Sequence, residues 1–367
     1  MKEKNLESLR QRLTEIDRQL LRLAAERHKL AGDIGALKRA AGQPTRDYER
    51  EREVIELARA EADNLGLSTD LAESLMRRLI RSSLVHQEQA RVSATDHGLG
   101  RRALVIGGAG MMGRWFVDFL ATQGFDVEVA DPAGPVPGHA HVADWRNCDL
   151  THDLIIIATP LGITAALLYE LAKIKPTGLI MDIASLKTPI RDGLKAVVNA
   201  GCRVVSLHPM FGPDTELLSG RHVIFIDLGA PAAVTEARAL FEPTMVETAE
   251  MDLDEHDRLI AFVLGLSHAL NIAFFNALVE SGESVPRLAE ISSTTFDAQL
   301  DVSSRVSRES PEVYYEIQAL NEHGRDALDA LEVSLRRLRQ IIDEKDQSAF
   351  ARVMERGREY LRNKRSA

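Results

Sequence analysis

The sequence predicts a multidomain chain: an all-α three-helix unit over 1–92, a linker at 93–100, a doubly wound α/β domain over 101–251 and an all-α domain over 252–367. Three observations predict it. Apolar residues recur at three- and four-residue steps through the first ninety residues. Short apolar strands then alternate with helical patterns, and from Leu253 the helical pattern resumes almost to the end. At 367 residues the chain is long enough for two or three cores, and its composition is that of an ordinary globular protein.

Lys and Arg total 45 against 55 Asp and Glu, a net charge of −10. That balance weighs against nucleic acid or an anionic membrane as a general partner and favours a small molecule. Cys148 and Cys202 stand alone, without a second thiol or a histidine at ligand spacing, so neither a metal site nor a disulfide framework is expected. Met1–Glu7 lacks the apolar core of a signal peptide, and a cytoplasmic enzyme is the expectation. Leu259–Val279 is apolar and long enough to span a membrane. Ser267, His268, Asn271 and Asn276 interrupt it, so it reads as a buried helix or a subunit interface instead.

From Asn5 to about Ala41, Leu6, Leu9, Leu13, Ile16, Leu20, Leu23, Leu30, Ile34 and Leu37 mark a single amphipathic helix, on the order of 50 Å long at 1.5 Å per residue. A ninety-residue unit cannot bury such a helix alone, and a second copy of the chain is its expected cover. Ala41-Gly-Gln-Pro-Thr45 stops it, a second helix runs from about Arg46 to Asn64, and a third extends to about Arg91. The informative residues are charges in the wrong place. Arg27 and Lys38, three turns apart, fall within the stripe of Leu9, Ile16, Leu20 and Ile34, where burying unpaired cations is costly. Asp47, Arg50 and Glu51 share a face of the second helix with Val54 and Ala58. On the third, Ser83 and Gln87 lie one turn apart beside Leu79 and Ala90. A polar pocket for a compact dianion reconciles these placements; structural ion pairs of Arg27 and Lys38 with Asp47 and Glu51 are the alternative.

Arg101–Gly113 runs an apolar strand into Gly108-x-Gly110-x-x-Gly113 and on into a helical pattern, the setting a dinucleotide fingerprint requires. Gly108 is expected to make the tight turn, Gly110 to admit a pyrophosphate and Gly113 to let helix and strand pack closely. The helix start, with Met111 and Met112, offers free N–H groups to the anion. A second strand, Asp126–Ala130, leads to Asp131, twenty-one residues beyond Gly110, where a carboxylate accepts hydrogen bonds from ribose hydroxyls. No Arg follows Asp131 immediately, which favours NAD over NADP. Further strands at Asp153–Ala158, Leu179–Asp182, Arg203–Leu207 and Val223–Asp227 complete a mostly parallel Rossmann-type sheet. Ligands of such sheets lie beyond the strand carboxyl ends, here Thr159-Pro160, Ala184–Lys187 and His208–Asp214. His208, read as directly following a strand on a Pro/Gly-rich turn, is placed to be a general base or to cap that turn. Beyond Leu253, with breaks near Gly282–Pro286 and Glu309–Pro311, the helices suit a bundle or an interface. His268 and Asn271, one turn apart, are either satisfied core polar groups or substrate contacts.

LRQRLTEIDRQLLRLAAER, the spacing from it to Lys38, and RDYEREREV resemble the all-helical chorismate mutase family. The resemblance implies an intertwined dimer in which Arg10, reaching in from the partner chain, joins Arg27 and Lys38 on the two carboxylates of chorismate. Lys38 and Gln87 would donate to the ether oxygen and Glu51 would meet the ring hydroxyl, with Asp47, Arg50 and Ser83 completing the site. The rearrangement to prephenate moves no proton, so restraint and donors at the developing oxygen charge suffice.

VIGGAGMMGR, DIASLK, SLHPMFGPD and EHDRLIAFVLGLSHAL are similar to bacterial-type prephenate dehydrogenases. Nearly the full length thus resembles the bifunctional chorismate mutase–prephenate dehydrogenase family. What this implies is NAD-dependent oxidative decarboxylation of prephenate to 4-hydroxyphenylpyruvate, CO2 and NADH, in tyrosine biosynthesis. His208 would bond the 4-hydroxyl and act as base, and Ser185 would assist between hydroxyl and nicotinamide. Lys187 shares Ser185's motif without a clear role. Arg305, with Arg308 as fallback, would hold the ring carboxylate, a task suited to a planar bidentate donor, and His268 would lie on the substrate side. The C-terminal helices would cover substrate and dimerise, and tyrosine would be a feedback inhibitor. Two competing readings stand: a prephenate or arogenate dehydrogenase with a non-catalytic N-terminal module, and a non-catalytic NAD sensor.

Overall fold

The structure, a computed structural model, describes residues 5–362. Met1–Lys4 of the signal-peptide reading and residues 363–367 at the end of the C-terminal region lie outside them. Three helices open the chain: α1 (Leu6–Ala40), α2 (Tyr48–Leu65) and α3 (Thr69–Val92). Each begins on a side-chain cap, with Asn5, Asp47 and Ser68 accepting from the amides of Ser8, Arg50 and Leu71. These caps satisfy amides that a helix start leaves without an intrahelical partner. α2 stops at Gly66, whose φ of 67° is a left-handed C-cap that side chains resist. Gly35 is the buried residue of α1, whereas its leucines are exposed, Leu13 by 60% and Leu37 by 72%. The predicted apolar face therefore exists, and a single chain leaves it open.

The α/β part runs β1 (Arg102–Ile106), α4 (Met111–Thr122), β2 (Asp126–Ala130), β3 (Ala140–Val142), β4 (Leu154–Ile157), α5 (Leu161–Ile174), β5 (Leu179–Asp182), α6 (Arg191–Asn199), β6 (Val204–Pro209), β7 (His222–Ile226), α7 (Pro231–Ala239) and β8 (Glu247–Met251). The sheet order is β3-β2-β1-β4-β5-β6-β7-β8, parallel from β3 to β6, with β7 antiparallel to β6. Apolar strands such as Leu154–Ile157, buried at every position, are what two covered faces demand. The order reverses between β1 and β4, the place where doubly wound sheets bind ligands. β3 and β8 were not expected: both are edge strands with little apolar content, so no hydrophobic period marks them. His208 requires a correction. Pairing with β7 carries β6 to Pro209, so His208 lies within the strand, opposite Ile224, and not after it.

The backbone packs as two compact units. The first takes in Met1–Thr159, Leu171–Ile183 and Val197–Glu250, so the three opening helices and the sheet belong together. The fastening is specific. Buried Glu88 of α3 accepts from the amides of Leu218 and Met245, each at 2.7 Å. Arg46 donates to the Ser219 hydroxyl at 2.7 Å, and Trp115 of α4 to the Thr215 carbonyl at 3.1 Å. The loop between β6 and β7 is thus tied at three points. Nor is 93–100 slack: the Gly98 amide donates to Gln123, and a Cβ there would meet the Phe125 backbone at 2.2 Å.

The second unit comprises Pro160–Glu170, Ala184–Ala196 and Met251–Ala367. Its helices are α8 (Leu253–Ile260), a π-helical turn at Ala261–Leu266, α9 (Ser267–Glu280), α10 (Val285–Ala289), α11 (Thr294–Val306), α12 (Pro311–Ala319), α13 (Gly324–Asp343) and α14 (Gln347–Arg362). The π-turn frees the Gly265 carbonyl, which accepts from the Gln318 amide at 2.8 Å. Leu253–Glu280 is long and apolar enough to cross a membrane, yet only 22% of its most apolar window is buried. Phe262, Val263 and Val279 are 46, 55 and 75% exposed. The expectation of a buried helix fails within one chain; the interface reading fits this exposure.

Candidate active sites

The helical unit gathers most of its predicted residues where α1 and α2 meet α3. Arg27, half-buried, donates from Nη1 to the Ser83 hydroxyl at 2.9 Å and to the Leu79 carbonyl at 3.1 Å. No carboxylate among the described residues pairs with it, and burial pulls its guanidinium below the ordinary value. A half-buried cation with only neutral partners is a place for an anion. Gln87 lies one turn beyond Ser83 and donates to the Ala31 carbonyl at 2.5 Å. It fits there because position 35 is glycine: a Cβ on Gly35 would stand 2.7 Å from Gln87 Cγ. Lys38 donates to the Thr45 carbonyl at 3.4 Å and lies 3.8 Å from Asp47.

The remaining mutase-type residues are differently engaged. Asp47 caps α2, and the Arg50 amide lowers its carboxyl further than Lys38 does. The Arg50 guanidinium is exposed and paired with Glu53 at 2.8 Å. Glu51 is gripped at both oxygens by Arg46, at 2.8 and 3.0 Å. The ion-pair alternative thus holds for Lys38 with Asp47 but for neither Arg27 nor Glu51. Arg10 is exposed on α1, seventeen residues from Arg27, which is about 25 Å along a helix. The fold of one chain does not bring it to the cluster.

At the sheet, β1 runs into the glycine loop and α4 starts after Gly110 with no side-chain cap. The turn residue is Gly107, at φ 85°, and not Gly108 as expected. A Cβ on Gly107 would lie 2.6 Å from the Ala158 carbonyl, just before Thr159. Gly108 instead makes room for Val129, and Gly113 abuts the Gly107 carbonyl, which its Cβ would meet at 2.0 Å. Asp131 follows β2, is 7% exposed, and accepts from the Ala109 amide at 3.0 Å and the Ala133 amide at 2.8 Å. A carboxylate therefore lies against the glycine loop while the uncapped helix start stays open to an anion. Met111 is 63% exposed beside that start, and Met112 packs on the core. These residues fit a dinucleotide. In the same unit His208 is buried to 4% exposure.

In the second unit, Pro160 precedes α5, and Ser185, half-buried, sits in the bend between β5 and a short turn at Thr188–Ile190. Lys187 is fully buried and donates from Nζ to the Ala184 carbonyl at 2.8 Å, a structural task. His268 stacks on Tyr314 at 4.1 Å, and its buried Nδ1 has no hydrogen-bond partner among the described residues. Burial lowers its pKa, favouring the neutral imidazole. Asn271 is a satisfied core amide, accepting from Gln299 and Ser303 and donating to Ser267, each at 2.8 Å. Arg305 is exposed on α11, and Arg308 donates to Ser304 at 3.3 Å.

Sequence reasoning missed Arg46, Glu88, Tyr314 and the His256–Asp257 pair. Two adjacent ionisable residues opening an apolar helix were a usable signal for the last. Glu88 gave none, since one more charge near a helix end looks solvated.

Three family models match in succession: Chorismate mutase type II over 9–88, the nucleotide-binding domain of prephenate dehydrogenase over 139–248, and its dimerization domain over 252–356. The glycine loop precedes the second match. The chain is 28% identical over 315 residues to the T-protein of Enterobacter agglomerans, covering 85% of this chain and 81% of that one. Over 84 residues it is 30% identical to the chorismate mutase of Methanocaldococcus jannaschii, covering 23% of this chain and 85% of that one. Among solved structures, prephenate dehydrogenase from A. aeolicus, in complex with hydroxyphenyl propionate and NAD+, shares the fold at a TM-score of 0.58 and 19% identity, over 71% of this chain and 98% of that one. With mutase and dehydrogenase models side by side in one polypeptide and relatives that span both, the chain belongs to the bifunctional chorismate mutase–prephenate dehydrogenase family.

Proposed function

We propose that the chain rearranges chorismate to prephenate at the α1–α3 cluster and then oxidises prephenate, with loss of CO2, to 4-hydroxyphenylpyruvate on the way to tyrosine. The observation that carries the first step is Arg27: a half-buried guanidinium bonded only to neutral oxygens, one of them the hydroxyl of Ser83, which lies one turn of α3 from Gln87. Arg27 and Lys38 bind the carboxylates, Lys38 and Gln87 donate to the ether oxygen, and Glu51 meets the ring hydroxyl. Asp47, Arg50 and Ser83 hold the surrounding polar frame. Arg10 comes from a second copy, because its own chain holds it too far away, and the exposed leucine face of α1 supports that homodimer. Catalysis here is restraint plus hydrogen-bond donation at the oxygen where charge develops.

For the second step, NAD supplies the two-electron acceptor when bound. Gly110 would let the backbone approach its pyrophosphate, Gly108 and Gly113 pack the loop against Val129 and the Gly107 carbonyl, the Met111 and Met112 amides would hold the phosphates, and Asp131 would take the ribose hydroxyls. Thr159 and Pro160 line the same cofactor. His208 accepts the proton of the 4-hydroxyl, Ser185 orients that hydroxyl, Arg305 pairs with the ring carboxylate, and His268 contacts the substrate. Aromatisation drives the reaction, so the protein orients the ring and removes one proton. The functional division is 1–92 for the mutase, 101–251 for the dinucleotide and 252–367 for substrate cover and dimerisation, in a cytoplasmic enzyme with tyrosine as feedback inhibitor. Neither nucleic acid nor membrane enters this reading. A coupled assay with chorismate and NAD, set beside prephenate and NADP controls, tests it: chorismate loss with NADH formation supports both steps. NADH from prephenate without chorismate loss removes the mutase, and neither signal removes both.

A further inference from the structure

We infer that Asp257 is a positioning residue for the dehydrogenase step, its carboxylate fixing the loop that carries Ser185. The inference rests on the role proposed for Ser185. After β5 ends at Asp182 the chain forms no regular element until Thr188, so this loop has no ladder of its own to hold it. Instead its amides converge on one side chain. The Lys187 amide donates to both Asp257 oxygens, at 2.9 and 3.1 Å, and the Thr188 amide donates to Oδ2 at 2.5 Å. The Thr188 hydroxyl donates to the same oxygen. His256 Nδ1 lies 2.6 Å from Oδ1, the donor in the tautomer this carboxylate favours.

Asp257 and His256 are both 0% exposed. The anchor is itself anchored, since the Asn321 amide donates to the Asp257 carbonyl at 2.8 Å. At the other end, Lys187 Nζ closes the loop onto the Ala184 carbonyl. Ser185 therefore sits between two tied residues, Ala184 and Lys187. Water cannot replace these bonds at a fully buried carboxylate, so they hold one backbone conformation. Asp257 acts through the loop and touches no reacting group in this reading.

The test is a double-mutant cycle on the full-length chain, with Asp257→Asn, Ser185→Ala and the pair. Asn offers one acceptor where two oxygens now serve, and its NH2 opposes an amide donor. Asp257→Asn is expected to lower dehydrogenase kcat on the order of tenfold to a hundredfold. KM for NAD and the mutase rate should stay within about twofold of wild type. In the Ser185→Ala background the same change is expected to have little further effect. An unchanged kcat in Asp257→Asn overturns the inference, and so does a full multiplicative loss in both backgrounds. If Ser185→Ala itself keeps full kcat, the role of Ser185 falls and the inference with it; an impaired Ser185→Ala with multiplicative losses removes the inference alone. Should Asp257→Asn fold poorly, Thr188→Ala removes one donor and enters the same cycle, and Thr188→Ser is expected to restore kcat.

Discussion

Gly35→Ala should separate the two activities by adding one methyl group. The new Cβ would stand 2.7, 3.1 and 3.4 Å from Cγ, Cδ and Cβ of Gln87. Carbons in contact need roughly 3.5–4.0 Å, so the side chain must move by about 1 Å. Because the overlap runs from the root of the side chain outward, swinging the terminal amide does not relieve it. Helix propensity pulls the other way: alanine in a helix interior is favoured over glycine by roughly 0.5–1 kcal/mol. The helix survives and the geometry does not. A misplacement of about 1 Å costs on the order of 100-fold in rate, or about 2.7 kcal/mol of barrier. Mutase kcat, followed by chorismate loss, should fall by about that factor, while NADH formation from added prephenate and the thermal midpoint hold. A full mutase rate in Gly35→Ala would refute the placement of Gln87 in the chemistry.

Three further outcomes are expected. His208→Asn should abolish NADH formation with mutase activity retained; equal loss of both in a folded protein would count against independent sites. Glu88→Ala leaves the Leu218 and Met245 amides without their acceptor, at about 1–3 kcal/mol each for a buried group. Urea unfolding should show a loss of about 3 kcal/mol, and a loss below about 1 kcal/mol would mean water replaces the carboxylate. Burial alone would raise the Asp257 carboxyl, but His256, Thr188 and Lys187 together outweigh it and hold it at about 2, against an ordinary 3.8. A lowered carboxyl stabilises the fold above its unfolded value and loses that contribution as pH falls from about 4 to about 2. Asp257→Asn should therefore flatten the acid limb of the stability curve by about 2 kcal/mol, and an unchanged limb would refute the assignment.

The two chemistries were legible for different reasons. Arg27 and Lys38 stood out because cations on an apolar stripe violate the helical period, and the structure finds both half-buried. The glycine loop stood out because strand, glycines and helix occur in one short run. What escaped was contact between segments far apart in the chain. Glu88 lies 130 residues from Leu218 and 157 from Met245, and no local pattern reports such a bond. Gly107 was passed over for Gly108 because the motif counts glycines, whereas φ depends on where β4 crowds the turn.

By itself the sequence determined the three-helix opening, the doubly wound α/β class and the helical C-terminal region, since periodicity, caps and glycine spacing act over a few residues. Tertiary structure alone decided which polar groups are spent on the fold. Asn271 became a core amide bonded to Gln299 and Ser303, and Glu88 the acceptor for the Leu218 and Met245 amides. A buried donor or acceptor must find a partner wherever the chain brings one, and that partner is fixed by packing, not by spacing. Arg27, paired only with neutral oxygens, and His268, with a buried nitrogen left open, are two predicted site residues that this packing does not spend on the fold.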